Sequence, residues 1–152
     1  MIEQIVAKLN ESHMTVAVAE SCTGGMIAST LVDVPGVSGC FAEGYVTYSN
    51  EAKVKNLGVS QETLATFGAV SKETAAEMSA GVRAKSNATF GLATTGIAGP
   101  DGGTAEKPVG LVFISCSGPD GVFTERHVFS GGRTFVRQQA TRAAFDLLLR
   151  CM

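Results

Sequence analysis

The sequence has no tryptophan, two tyrosines and eight phenylalanines, so it offers no row of aromatic faces on which single-stranded bases would stack. Charge of one sign is missing too. Twelve Lys and Arg stand against fourteen Asp and Glu, a net charge of −2, which excludes a general basic field for a nucleic-acid backbone or an anionic membrane. Glycine or charge interrupts every apolar stretch well short of the roughly 20 residues a membrane helix needs. Neither nucleic acid nor a membrane is an expected partner.

Paired metal-ligand spacings are also lacking. Cys22, Cys40, Cys116 and Cys151 form no CxxC pair, and His13 and His127 lie far from each other and from any cysteine in sequence, so no metal site is expected. The segment Met1-Ile2-Glu3-Gln4 has neither the basic nor the apolar region of a secretory signal. A cytoplasmic protein with reduced thiols is the expectation.

What is present is core-forming composition: 152 residues, 45% of them apolar, with 18 glycines, a length that suits one domain. Ile2, Ile5, Val6 and Leu9 fall on one stripe of a helix over about 2–12. A strand over 15–20 follows, in which valines alternate with small residues. Thr23-Gly24-Gly25 restarts a helical pattern that ends before Pro35-Gly36. The pattern then predicts a strand over 41–48 and a helix over 51–57 capped by Asn50 and closed by Gly58. Ser60 and Ser71 start two more helices, to about Phe67 and Ser86. A buried strand over 90–95 runs into the glycine-rich loop from Gly96 to Gly103. Val109–Ser117 and Val122–Phe129 flank Gly118-Pro119-Asp120-Gly121 and read as a hairpin with a four-residue turn. A last amphipathic helix starts near Arg133 and carries Val136, Ala140, Ala144, Leu147 and Leu148. Five strands among helices predict a three-layer α/β/α sandwich with a mixed sheet of about five strands.

Ala19-Glu20-Ser21-Cys22-Thr23-Gly24-Gly25 joins a strand end to a helix start, where open α/β sheets bind ligands and unpaired helix N–H groups face an anion. Two roles are open to Ser21 on this basis, helix cap and nucleophile. Cys22 is a rival nucleophile, but no histidine or cation lies near it in sequence, which favours a small buried residue. Thr47-Tyr48-Ser49-Asn50-Glu51-Ala52-Lys53 puts a phenol at a strand end and an amine in the first turn of the next helix. The positive helix start and partial burial both lower such a lysine's pKa from its reference of about 10.4, which suits a base. On a helical wheel Leu57 lies about 40° from Lys53 and Lys55 about 200° away, so Lys53 can lean inward where Lys55 cannot. A surface lysine snorkelling over Leu57 is the competing role.

The loop from Thr94 to Gly103 lets the main chain approach a phosphate or ribose closely. It has no Walker lysine and opens no helix, which disfavours a P-loop nucleotidase. Arg133 presents a fork of donors to an anion, or else caps a surface. His13 and His127 read as a loop residue and a strand-surface residue.

Together Ala19–Gly25, Thr47–Lys53, Gly68-Ala69-Val70-Ser71, Thr95–Gly103 and Glu106-Lys107-Pro108-Val109-Gly110 resemble the CinA C-terminal domain family over nearly the whole chain. The chain is similar to that family's stand-alone form, which deamidates nicotinamide nucleotide, and the resemblance therefore implies a single amidase domain over 1–152. It implies an amidohydrolase that converts nicotinamide mononucleotide to nicotinic acid mononucleotide and ammonia within NAD metabolism, with no cofactor and as a homodimer. By motif position Ser21 is then the nucleophile, Lys53 its base and Tyr48 a proton-relay partner. Thr23, Gly24, Thr95, Gly96 and Gly99 line the substrate site, and Arg133 meets the phosphate. Amides at the helix start near Thr23 would receive the oxyanion. Relatives often carry Gly-Asp-Arg where this chain has Gly131-Gly132-Arg133. A non-catalytic nucleotide-binding module and an enzyme acting on the pyridine dinucleotide are the alternative readings.

Overall fold

The computed structural model describes residues 1–152. Its elements are α1 (Ile2–Glu11), β1 (Val16–Glu20), α2 (Met26–Val32), a short 3-10 turn (Val37–Gly39), β2 (Phe41–Val46), α3 (Asn50–Leu57), α4 (Gln61–Phe67), α5 (Lys72–Ser86), β3 (Phe90–Gly96), β4 (Leu111–Gly118), β5 (Gly121–Val128) and α6 (Arg133–Cys151). The strands form one mixed sheet in the order β2-β1-β3-β4-β5. β1 runs parallel to both β2 and β3, while β4 and β5 are antiparallel additions. The α/β/α sandwich with five strands is the predicted one.

The two faces of the sheet are built differently. Val16, Val18, Leu92, Val112 and Ile114 meet α1, α2 and α6 in a core of large aliphatic side chains that also holds Phe90 and Phe145. On the other face Ala17, Ala19 and Ala93 meet Leu57, Met78 and Val82 in a smaller cluster. Small strand residues there let α5 ride close to the sheet. At Gly81 a Cβ would collide with the Leu57 carbonyl, so glycine is what allows α5 to press on the end of α3. That contact sets the position of the helix bearing Lys53.

Three local expectations are corrected. The cap of α3 is Ser49, whose side chain accepts from the Ala52 amide, and Asn50 is the first helical residue. Serine and asparagine are equivalent caps in sequence, and the extended backbone at Ser49 decides between them. The β4–β5 hairpin turns through Pro119 and Asp120 alone, because Gly118 and Gly121 still pair. α2 starts only at Met26 with Gly25 in left-handed conformation as its cap, so Ser21 is not a helix cap. The Ser60 and Ser71 caps form as predicted.

Candidate active site

β1 lies between β2 and β3, and the chain leaves it toward one neighbour and returns beside the other, so the C-terminal end of β1 is the sheet's topological switch point. Ser21 is the first residue past that end. Its amide donates to the Thr94 carbonyl of β3, while the Thr47 amide donates to the Glu20 carbonyl, which brings the ends of three strands together around one serine.

Lys53 enters from α3. Its Nζ donates to Ser21 Oγ at 3.1 Å and to the Thr47 carbonyl at 2.7 Å. At 1% exposure Lys53 is among the largest fully buried side chains of the protein. The surface-lysine role is thereby excluded. Burial holds its pKa below the ordinary lysine value, with the neighbouring Cys22 side chain opposing that shift, because a charged amine loses its hydration in the interior. Lys55 is exposed.

Cys22 is buried, and desolvation pushes its thiol up to about 11, so at neutral pH it stays a thiol and not the thiolate that attacks. Ser21 is 8% exposed. Of the two adjacent nucleophiles only the serine has a base in contact.

Two side chains that the sequence did not single out hold the Ser21 turn. Glu20 is fully buried, and its carboxylate accepts from Thr23 Oγ1 at 2.6 Å and from the Ile27 and Ala28 amides at 2.9 and 3.0 Å. It therefore occupies the first-turn amides of α2 that were expected to meet an oxyanion. The turn amides left without a protein acceptor are those of Cys22, Thr23 and Gly25. Arg137 reaches across from α6 and donates to the Cys22 and Thr23 carbonyls at 3.0 and 2.9 Å. Gly24, at φ +60°, leaves room for that guanidinium, since a Cβ there would lie 3.3 Å from Nη2. Arg137 follows Arg133 by four residues on α6, one helical turn on the same face, and that spacing was the sequence signal available for it.

The remaining expected residues form a second group. Arg133 donates to the Gly99 carbonyl at 2.8 Å and to the Tyr48 hydroxyl at 3.0 Å. Tyr48 is 61% exposed, and its hydroxyl bonds to Arg133 and makes no hydrogen bond to Ser21 or Lys53. The amides of Gly99, Gly102 and Gly103 donate to no protein acceptor, and Arg133 meets this loop at the Gly99 carbonyl. Thr95 is buried and donates to the Ala69 carbonyl at 2.8 Å, tying the segment before Ser71 to the end of β3. Thr23 lies fully buried on Glu20 and Thr94. Gly96 closes β3 against Val112. His13 sits in the turn after α1, and His127 lies on β5 bonded to Glu125.

The largest cavity, about 520 Å³, is elsewhere. It lies along β5 between Lys72, Phe123 and Arg150, near the β4–β5 turn at the opposite end of the sheet from Ser21. Chemistry places the candidate site at the strand ends, where a buried amine meets a serine. No group of three or more His, Cys, Asp or Glu side chains gathers to hold a metal ion. No helix is long and apolar enough to cross a membrane.

The profile of the CinA C-terminal domain family matches residues 1–152. A competence-damage inducible protein of Clostridium beijerinckii is 52% identical over 152 residues, 99% of this chain and 37% of that protein. One from Clostridioides difficile is 51% identical over 97% of this chain and 35% of its own length. The chain thus spans about a third of the curated relatives it matches. A crystal structure of a competence/damage inducible protein from Agrobacterium tumefaciens superposes with a TM-score of 0.92 at 43% identity, covering 98% of this chain and 94% of that one. One from the CinA superfamily of Escherichia coli gives 0.94 at 33% identity, covering 100% and 91%.

Proposed function

This chain belongs to the CinA C-terminal domain family, and from that membership and the Ser21–Lys53 geometry we propose that it hydrolyses the carboxamide of nicotinamide mononucleotide. The observation that carries the reading is a fully buried lysine amine 3.1 Å from a serine hydroxyl at the switch point of an open α/β sheet. Few structural roles require an amine there, since burying a lysine costs free energy that an apolar residue would not.

Neutral Lys53 takes the proton of the Ser21 hydroxyl as Oγ bonds to the amide carbon. The carbonyl oxygen becomes an oxyanion, received by the amides of Cys22 and Gly25. Lysinium then gives its proton to the leaving nitrogen, the C–N bond breaks, and ammonia departs from an acyl-serine. Water attacks that ester, Lys53 takes a water proton, and the C–O bond to Ser21 breaks as lysinium returns the proton to Oγ. The product is the carboxylic acid, which gives its remaining proton to solvent and leaves as the carboxylate, with serine and neutral lysine restored. Arg133 and the Gly99–Gly103 amides hold the phosphate, and Tyr48 orients Arg133. Action in the bacterial cytoplasm, on a small molecule and as a homodimer, belongs to the same proposal.

Purified protein incubated with the mononucleotide tests the reading through ammonia release, with Ser21→Ala as control. Release by the wild type alone supports it. Binding without release would leave a nucleotide-binding module, and release from the dinucleotide alone would move the substrate assignment.

A further inference from the structure

Thr47 Oγ1 is the single buried side-chain polar atom in the protein with no hydrogen-bond partner. The residue is fully buried, and both of its main-chain groups are engaged, the amide with the Glu20 carbonyl and the carbonyl with Lys53 Nζ. A buried hydroxyl left unpaired destabilises a fold, and a near-isosteric valine would remove the cost. An orphan of this kind calls for an explanation, and its place on the residue whose own carbonyl accepts from Lys53 Nζ supplies one.

The hydrogen-bonding capacity of Lys53 changes with its charge. As a neutral amine it offers a lone pair to the Ser21 hydroxyl and N–H groups that the Thr47 carbonyl begins to satisfy. Once it has taken the serine proton it becomes a three-donor ammonium in a dry pocket, and it needs one more acceptor. Rotation of Thr47 about χ1 swings Oγ1 on a Cβ held beside the carbonyl already bonded to Nζ. We propose that the Thr47 hydroxyl is a positioning residue that accepts from Lys53 in its charged form and so steadies the proton between its arrival from Ser21 and its delivery to the leaving group. The inference rests on the Ser21–Lys53 reading above.

The surroundings offer little else. Of the ionisable groups on the elements packed around α3, the Cys22 thiol acts on the Lys53 amine. Glu20 is spent on Thr23 and the α2 amides, Glu77 of α5 accepts from the Ser60 amide, Arg83 donates to the Thr89 carbonyl, and Lys85 lies over the Tyr45 ring. Glu62 of α4 is exposed.

The test follows the Lys53 side chain directly, by NMR titration of labelled lysine Cε resonances in the full chain, the Lys53 signal being assigned by its loss in Lys53→Arg. In Thr47→Val the titration midpoint should fall by about one unit or more, since a hydrogen bond to a charged group is worth that much. Thr47→Ser should restore it. The Thr47→Val protein should melt no lower than wild type, which a hydroxyl with a structural role would not permit. Thr47→Ala serves as a second hydroxyl-free variant should valine not fit. An unchanged midpoint, or a valine variant that melts several degrees lower and is repaired by serine, overturns the proposal. Ammonia release from nicotinamide mononucleotide is measured in parallel. Its absence in the wild type would sink the amidase reading while the titration still decides the role of Thr47.

Discussion

The Tyr48 hydroxyl accepts from Arg133 Nη2 at 3.0 Å, and this pairing separates the tyrosine from the nucleophile. If Tyr48 serves substrate binding through Arg133, Tyr48→Phe should leave kcat within about 3-fold and raise KM by about 2- to 10-fold, the worth of one hydrogen bond of ordinary strength. Steady-state kinetics on the mononucleotide decide it. A hundredfold fall in kcat would return Tyr48 to the proton relay.

Lys53 gives a pH signature. Because burial lowers its pKa, the neutral base forms below the pH at which a free lysine deprotonates, and kcat/KM should climb with pH with its midpoint below that of an ordinary lysine. Stability follows the same group. The unfolded chain binds the Lys53 proton more tightly than the folded one, so between the lowered folded pKa and the unfolded value stability rises with pH. Lys53→Met should lose that rise in denaturant titrations across the window and should abolish turnover. Lys55→Ala, an exposed change on the same helix, should alter neither.

Ser21→Ala should abolish ammonia release, whereas Cys22→Ala should keep most of it. Burial holds the Cys22 thiol at about 11, so an alkylating reagent at neutral pH should modify the partly exposed Cys151 before the buried Cys22. Mass spectrometry of the labelled protein reads the order. Since Ser21 caps no helix, Ser21→Ala should also melt within a few degrees of wild type.

The layers of the sandwich and the Ser60 and Ser71 caps were legible because they follow from local periodicity and from serines whose oxygens meet nearby amides. Lys53 was legible too, since its wheel position beside Leu57 points it inward. Glu20 was not. A glutamate at a strand end reads as solvated until the first turn of α2, seven residues on, closes over it. Arg137 and Thr47 escaped for the same reason, because their partners are the Cys22 carbonyl more than a hundred residues away and a lysine that only the fold brings close. The N-cap reading of Ser21 failed on backbone conformation, as two left-handed glycines delay the helix to Met26.

Glu20 yields its own test. Glu20→Ala strands a hydroxyl and two amides that now face a carboxylate. With roughly 1.5–3 kcal/mol for each hydrogen bond to a charged group, the loss should be about 3 kcal/mol or more, against a typical domain stability of about 5–15 kcal/mol. Urea unfolding measures it. A loss below about 1 kcal/mol would mean that the turn holds without the carboxylate. Arg137→Ala, which frees two carbonyls where Glu20→Ala strands three donors, should cost less stability and more rate.

The choice of substrate rests on Arg133, whose guanidinium spends two contacts on Gly99 and Tyr48 and keeps further N–H groups for an anion beside the free amides of Gly99, Gly102 and Gly103. A phosphate should then be required. Charge-assisted hydrogen bonds contribute roughly 1.5–3 kcal/mol each, so the riboside lacking the phosphate should be used about 10- to 150-fold less efficiently, 1.36 kcal/mol being tenfold in rate. Arg133→Ala should erase that preference while leaving the residual rate on the riboside close to that of wild type, because the arginine lies outside the Ser21–Lys53 pair. The departure at Gly132 can be tested in the same assay. No side chain caps α6, its cap residue Gly132 has extended backbone, and a Cβ there would meet nothing within 4 Å, so Gly132→Asp fits without strain. It should add a few tenths of a kcal/mol as a helix cap and sharpen the preference if a neighbouring carboxylate fixes the guanidinium. The measurement is the ratio of kcat/KM for mononucleotide and riboside in the three proteins. Equal use of both substrates by wild type, or a preference that survives Arg133→Ala, would show that the phosphate is held by the glycine loop or not at all.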